Sequence, residues 1–320
     1  MRQTANLFRQ QSGFSLTELM IALVLGLFVL GGALGVFVSN QNTYRVNTAL
    51  IQVQNNIRSA FQLMGKDFRS AGFLGCNNAI RVSTVLGDPA PIWAIWNGGI
   101  QGDDNPGAIN GLNPIAGTAT VRMMYASGQS NTLVAHNSAT STMTLNDEPN
   151  LQTGDIGIVC DDGLSSIFEV TGTGGAPFSV SHDATGLNCT ANLGFINPFN
   201  CNAAPERAFP ANAMLMRFES VAWFIAPSED NADVMALYRA TLLGSQQVNE
   251  EVLFGVANLQ VLYMDGTNRQ FSAAAAVVDW NDIIAAQVTL TMDPNAIGSV
   301  ELSEQLGTAS FLFALRNRLE

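Results

Sequence analysis

Lysine is almost missing from this chain of 320 residues: Lys66 is the only one, and Lys and Arg together number 14 against 26 Asp and Glu. With a net charge of −12, there is no basic stripe to grip a sugar–phosphate backbone, which excludes non-specific nucleic-acid binding. Histidine is nearly as scarce. His136 and His182 lie at no ligand spacing to a cysteine, and the four cysteines form no CxxC pair, so a zinc site is disfavoured. A glycine-rich phosphate loop and a fixed-period repeat are also missing. Ser181-His182-Asp183 are sequence neighbours, and neighbours on an extended segment face opposite ways, whereas a catalytic triad must converge. The chain reads as non-enzymatic, without a cofactor. Asp103-Asp104-Asn105 and the run from Glu229 to Asp233 offer oxygen ligands, with Asp230 and Asp233 the weak candidates for calcium. Neither run has EF-hand spacing, and turn formation explains both.

The most informative scarcity is local. Residues 19–38 hold no charged side chain, and twenty residues of helix at about 1.5 Å each span a bilayer's hydrocarbon core. Glu18 sits just before that run, and the short leader ahead of it carries only Arg2 and Arg9 as charges. A secretory signal is cut after its apolar stretch. Here the candidate cut, between Gly13 and Phe14, lies before it, so processing would remove the leader and keep the helix. The arginines would hold the leader on the cytoplasmic side and send the rest across. An acid inside a spanning helix costs about 2.5–3.5 kcal/mol at mid-bilayer and less near an end. Glu18 would be the fifth residue of a chain beginning at Phe14, one turn from the new amino group. There it gains from the positive end of the helix dipole and could pair with a free α-amine, its own or a neighbour's.

Residues 13–22 resemble the type IV pilin and pseudopilin signature. The resemblance implies cleavage after Gly13 by a prepilin peptidase, methylation of the new N-terminal Phe14, and a Glu18 that guides assembly into a helical filament. Thr17 stands where an apolar residue is commoner, a mild departure because its hydroxyl can bond back to the helix backbone.

Beyond the apolar run, Val46, Leu50, Val53, Ile57, Phe61, Met64 and Phe68 recur at threes and fours. One helix is expected over residues 14–69, bare and apolar first, then amphipathic against a globular head. Gly31 and Gly35 have the spacing that lets helices approach closely, though glycine is common in membrane helices anyway. Gly72 and Gly75 end the helix. Residues 77–150 read as irregular, with short strand-like runs at 119–125 and 132–136. Strands are expected at 155–160 and 166–171, flanking Asp161-Asp162-Gly163 as a hairpin, and later at 214–225, 234–238, 256–263, 283–292 and 310–315. A turn is expected at 264–267. One long helix followed by strands argues for α+β, with an antiparallel sheet laid against the helix.

Cys76, Cys160, Cys189 and Cys201 in an exported chain should be oxidised, and four cysteines allow three connectivities. Cys189–Cys201 with Cys76–Cys160 is the expected set, although the sequence alone does not choose.

Further blocks resemble the PilW group of minor pilins: Lys66 through Cys76, Gly154 through Cys160 with 167–171, Gly255 through Tyr263, and Ala314 through Arg318. Met264 stands where that group often has Gly, and residues 77–150 and 172–213 match no known block. The resemblance implies a pilin-like fold and four segments: a leader (1–13), a transmembrane or filament-core half-helix (14–38), an amphipathic half (39–72) and a β-rich head (73–320). It further implies an inner-membrane protein with its head in the periplasm, later part of the pilus. The partners implied are other minor pilins, the major pilin, a PilY-type tip adhesin and the prepilin peptidase, with a role in priming assembly and a place at the tip. The J-type minor pseudopilin of a type II secretion system is the alternative, and a tip binding module a second.

Overall fold

This computed structural model describes residues 13, 15–76, 81–87, 89–104, 106–293 and 307–318. The chain divides into two units, Met1–Gln52 and Val53–Glu320. A single α-helix, α1, spans Leu16–Ser70.

In the first unit every side chain from 19 to 38 is exposed, Phe28 and Val29 each by more than two thirds. Helix α1 is long and apolar enough in this part to cross a membrane. Gly26, Gly31, Gly32 and Gly35 face open space.

The second unit begins with the amphipathic part of α1. Ile57, Ala60, Phe61, Met64, Phe68 and Ala71 are buried, each three or four residues from another, the spacing that sets side chains on one helix face. Gly72 ends α1 with a left-handed φ of +76°, and Phe73 N–H returns to the Ser70 carbonyl at 3.0 Å. This turn is crossed by another backbone: a Cβ on Gly99 would lie 2.4 Å from both N and Cα of Gly72. The side-chain amide of Asn317 donates to the Ala71 carbonyl at 3.1 Å, so the C-terminal segment caps the helix.

The strands are β1 (Arg81–Thr84), β2 (Ile100–Asp103), β3 (Thr120–Asn137), β4 (Thr142–Leu145), β5 (Ile156–Cys160), β6 (Leu164–Glu169), β7 (Gly172–Gly174), β8 (Ser179–Ser181), β9 (Met214–Pro227), β10 (Met235–Leu243), β11 (Gln246–Phe254), β12 (Val256–Asp265), β13 (Phe271–Ser272), β14 (Ile283–Met292) and β15 (Thr308–Ala314). The larger sheet runs β1-β6-β5-β9-β3-β4-β8-β7, with β2 also on β3, and β10 on β9 followed by β11. The smaller runs β13-β12-β14-β15. Both sheets meet the helix. The buried face of α1 packs with Val121 and Met123 of β3, Val221 and Ile225 of β9, Leu259 and Val261 of β12, and Val288 and Leu290 of β14. This is a long N-terminal helix packed on an antiparallel head with long loops, the type-IV-pilin-like fold expected above.

Four details differ from the sequence reading. Residues 77–150, read as irregular apart from strand-like runs at 119–125 and 132–136, contain β1, β2, β4 and the 18-residue β3, which joins those two runs in one strand and pairs with β9 in the middle of the larger sheet. The register of β3 shifts between Ala126 and Ser130, and its far half is largely exposed, so polar residues fill it and the alternation breaks. One pair, β1 with β6, is parallel, so the larger sheet is mixed. The edge strand β11 alternates exposed and half-covered polar side chains, which hid it from a search for apolar residues. Finally, β7 and β8 lie within the unmatched 172–213 stretch. The hairpin at Asp161-Asp162-Gly163 is present: β5 pairs antiparallel with β6, and Asp161 Oδ1 accepts from Gly163 N–H at 2.8 Å and Leu164 N–H at 2.9 Å.

Candidate functional site

Helix α1 starts immediately after Ser15, which makes Ser15 its N-cap and Glu18 its third residue. Ser15 Oγ accepts from Glu18 N–H at 3.3 Å, while Glu18 Oε2 accepts from Ser15 N–H at 3.0 Å and from the Ser15 hydroxyl at 3.1 Å. This is a reciprocal capping box, which satisfies two amide donors that a helix start leaves unpaired. A cap of this kind contributes about 0.5–2 kcal/mol. The carboxylate is thereby fixed over the first turn, where the backbone dipoles favour negative charge. A Cβ added at Gly13 would meet no described atom within 4 Å. Phe14, with leader residues 1–12, falls outside the described residues.

The sequence reading found Glu18 and missed its partner. The signal was there: Ser15-Leu16-Thr17-Glu18 followed by an apolar run is the capping-box pattern itself.

A second site joins the end of α1 to the sheets. Asp67 is completely buried. Its Oδ2 accepts from Arg239 Nε–H and Trp223 Nε1–H, each at 2.9 Å, and its Oδ1 from Arg239 Nη2–H at 2.9 Å and the Tyr125 hydroxyl at 3.3 Å. The fork of Arg239 on β10 thus clamps both oxygens, with donors from β9 and β3 alongside. Burial, reinforced by the Asp67 charge, pushes the Tyr125 phenol well up. Burial alone would lower the Arg239 guanidinium, but the hydrogen bonds and charge of Asp67 more than offset it and raise it.

Cys76 is bonded to Cys160 and Cys189 to Cys201. The first bridge fastens the segment after α1 to β5. The second closes a loop whose Leu193, Phe195 and Phe199 pack into the core beside β6.

The two histidines come together, which their separation of 46 residues concealed. His136 Nε2 and His182 Nε2 are 2.8 Å apart, and Phe209 N–H donates to His136 Nδ1 at 3.0 Å. His136 therefore carries its proton on Nε2 and donates it to His182. Burial first, then the neighbouring ring, lowers the His182 pKa to about 4; burial also lowers that of His136. Asp183 turns away to the Thr171 hydroxyl at 3.1 Å, so Ser181, His182 and Asp183 do not converge. Among the described residues no group of three or more His, Cys, Asp or Glu could hold a metal ion. The backbone N–H groups of Asp230 and Asp233 bond to Ser228 and Asn231 as in ordinary turns.

Residues 8–34 match the family model for the prokaryotic N-terminal methylation motif. The matched segment contains the Gly13–Phe14 bond, the capping box and the first turns of α1. No curated protein matches the chain. The chain thus carries a type-IV-pilin-like methylation motif on a long apolar helix, consistent with the pilin superfamily and, more broadly, with a pilus-assembly role.

Proposed function

We propose that this protein is a minor pilin of the PilW group, cut after Gly13 by a prepilin peptidase, methylated on Phe14, and used in priming type IV pilus assembly within a complex that stays at the filament tip. The observation that carries the reading is the methylation motif over residues 8–34, with a capped acid, Glu18, just ahead of the uncharged run 19–38. A leader at 1–13 is discarded; 14–38 holds the chain in the inner membrane and then joins the filament core; 39–72 continues the helix; 73–320 is the exported head. Other minor pilins, the major pilin and a PilY-type adhesin are its partners.

Cleavage exposes an ammonium group close to Glu18. Because Ser15 already orients that carboxylate, a charge pair with the amine of a neighbouring subunit would form at little entropic cost, and in hydrocarbon it would be strong. The long head and the 255–263 block favour the pilus over a secretion pseudopilin. Deleting the protein from piliated cells tests this choice. Pilus number should fall while type II secretion continues; lost secretion with normal piliation would overturn the reading in favour of the J-type pseudopilin.

A further inference from the structure

Acids outnumber Lys and Arg by 26 to 14, yet among the described residues few cations form an ion pair. Arg207, Arg217 and Arg239 do, with Asp161, Asp155 and Asp67. Lys66, Arg69 and Arg316 are among the described cations that form no ion pair within 4 Å. All three line one cleft of about 770 Å³ at the C-terminal end of α1.

Lys66 and Arg69 are three residues apart on α1, hence neighbours on one helix face. The Arg69 guanidinium lies back along the helix over Gly65, where an added Cβ would come within 3.1 Å of Nη1. Arg316 enters from the C-terminal segment, which Asn317 pins to the helix end. Arg239 also borders the cleft, but its charge is matched by Asp67. Glu219 is the carboxylate in the lining; burial raises its pKa, while Arg217, Arg239 and Lys66 act to lower it. Lys66, Arg69 and Arg316 therefore share the cleft with one carboxylate, Glu219, which interacts with Lys66 and leaves an excess of positive charge. Part of the wall is apolar, from Phe73, Ala126 and Leu242, which suits a ligand with a carbon body.

We infer that this cleft binds organic carboxylates, supplied either by an acidic segment of another protein or by a free small dicarboxylate. Two arginine forks and an ammonium match carboxylate geometry, and the surrounding negative charge of the molecule makes this the place where an anion is attracted rather than repelled. The site lies wholly within the second unit, Val53–Glu320, and does not depend on whether the chain enters a filament.

The test uses the full chain in uncharged detergent. A fluorescent peptide alternating Glu and Gly is titrated by anisotropy, beside its Gln counterpart, with succinate as competitor. The Glu peptide or succinate should bind saturably, more weakly as salt rises. Lys66→Gln, Arg69→Gln and Arg316→Gln should each weaken binding roughly threefold, and about tenfold or more together, with Arg58→Gln as an unaffected control. An unchanged urea midpoint shows that the variants are folded. Binding by peptide alone identifies a protein segment as the source; displacement by succinate identifies a free dicarboxylate. Failure of both probes to bind, or equal binding by the triple variant, overturns the inference.

Discussion

Replacing Asp67 by alanine should loosen the attachment of α1 to the sheets more than any other single polar substitution at the joint. The carboxylate is fully buried and takes four hydrogen bonds, two from one guanidinium. Removing it leaves the Arg239 charge and the Trp223 N–H without acceptors, and breaking one side of a buried pair costs about 3–5 kcal/mol. The Arg239 side chain is 19% exposed and borders the large cleft, so water can reach it, which favours the lower end of that range. Asp67→Asn keeps the volume and one acceptor but sets an amide donor against the guanidinium, for roughly 2–3 kcal/mol. The double variant Asp67→Leu/Arg239→Met removes both charges and should recover most of the loss, because a packed apolar pair often equals a buried ion pair. Urea unfolding followed by tryptophan fluorescence reads all of this, Trp223 reporting from the joint itself. Additive effects in the double variant, or a loss under about 1 kcal/mol for Asp67→Ala, would refute the reasoning.

Four further outcomes follow from the same structure. Because the folded pKa of His182 is depressed to about 4, the unfolded chain binds more protons below pH 6.5; stability is full above that value and falls by on the order of 3 kcal/mol as pH drops towards 4. His182→Gln should flatten that slope in urea midpoints measured against pH, and an unchanged slope would place the sensitivity elsewhere. Removing the short bridge with Cys189→Ser/Cys201→Ser should cost about 3 kcal/mol, read as a lower urea midpoint. Gly99→Val should expose hydrophobic dye-binding surface, since its Cβ has no room beside Gly72. Glu18→Ala should leave membrane insertion intact while sharply reducing the protein in sheared filaments, and normal incorporation would remove the case for a charge pair.

Much of the helix was legible because its two signals are periodic and long: an uncharged run, then apolar residues at threes and fours ending at Gly72. The later strands, β9, β12 and β14, were legible because they are buried and rich in β-branched and aromatic residues. β3 was legible only as two separate short runs, 119–125 and 132–136, since an exposed stretch and a bulge between them break its alternation; β11 was not legible, since an edge strand is largely polar. At the candidate site, Gly13, Phe14 and Glu18 are local in sequence and were readable together. The Asp67 joint is assembled from residues up to 172 positions apart, and the histidine pair from residues 46 apart. Spacing along the chain carries no trace of such contacts; only the sheet order β10-β9-β3 and β3-β4-β8 creates them.

The central claim is that the first residues are a processing signal and the helix behind them a filament component. Intact-mass and N-terminal fragment analysis of the native protein, recovered from the membranes of cells that make pili, tests it most directly. The account expects a chain that begins at Phe14 and carries one added methyl group on its amine. A chain that still begins at Met1 would contradict it, and would leave a tethered exported domain in its place.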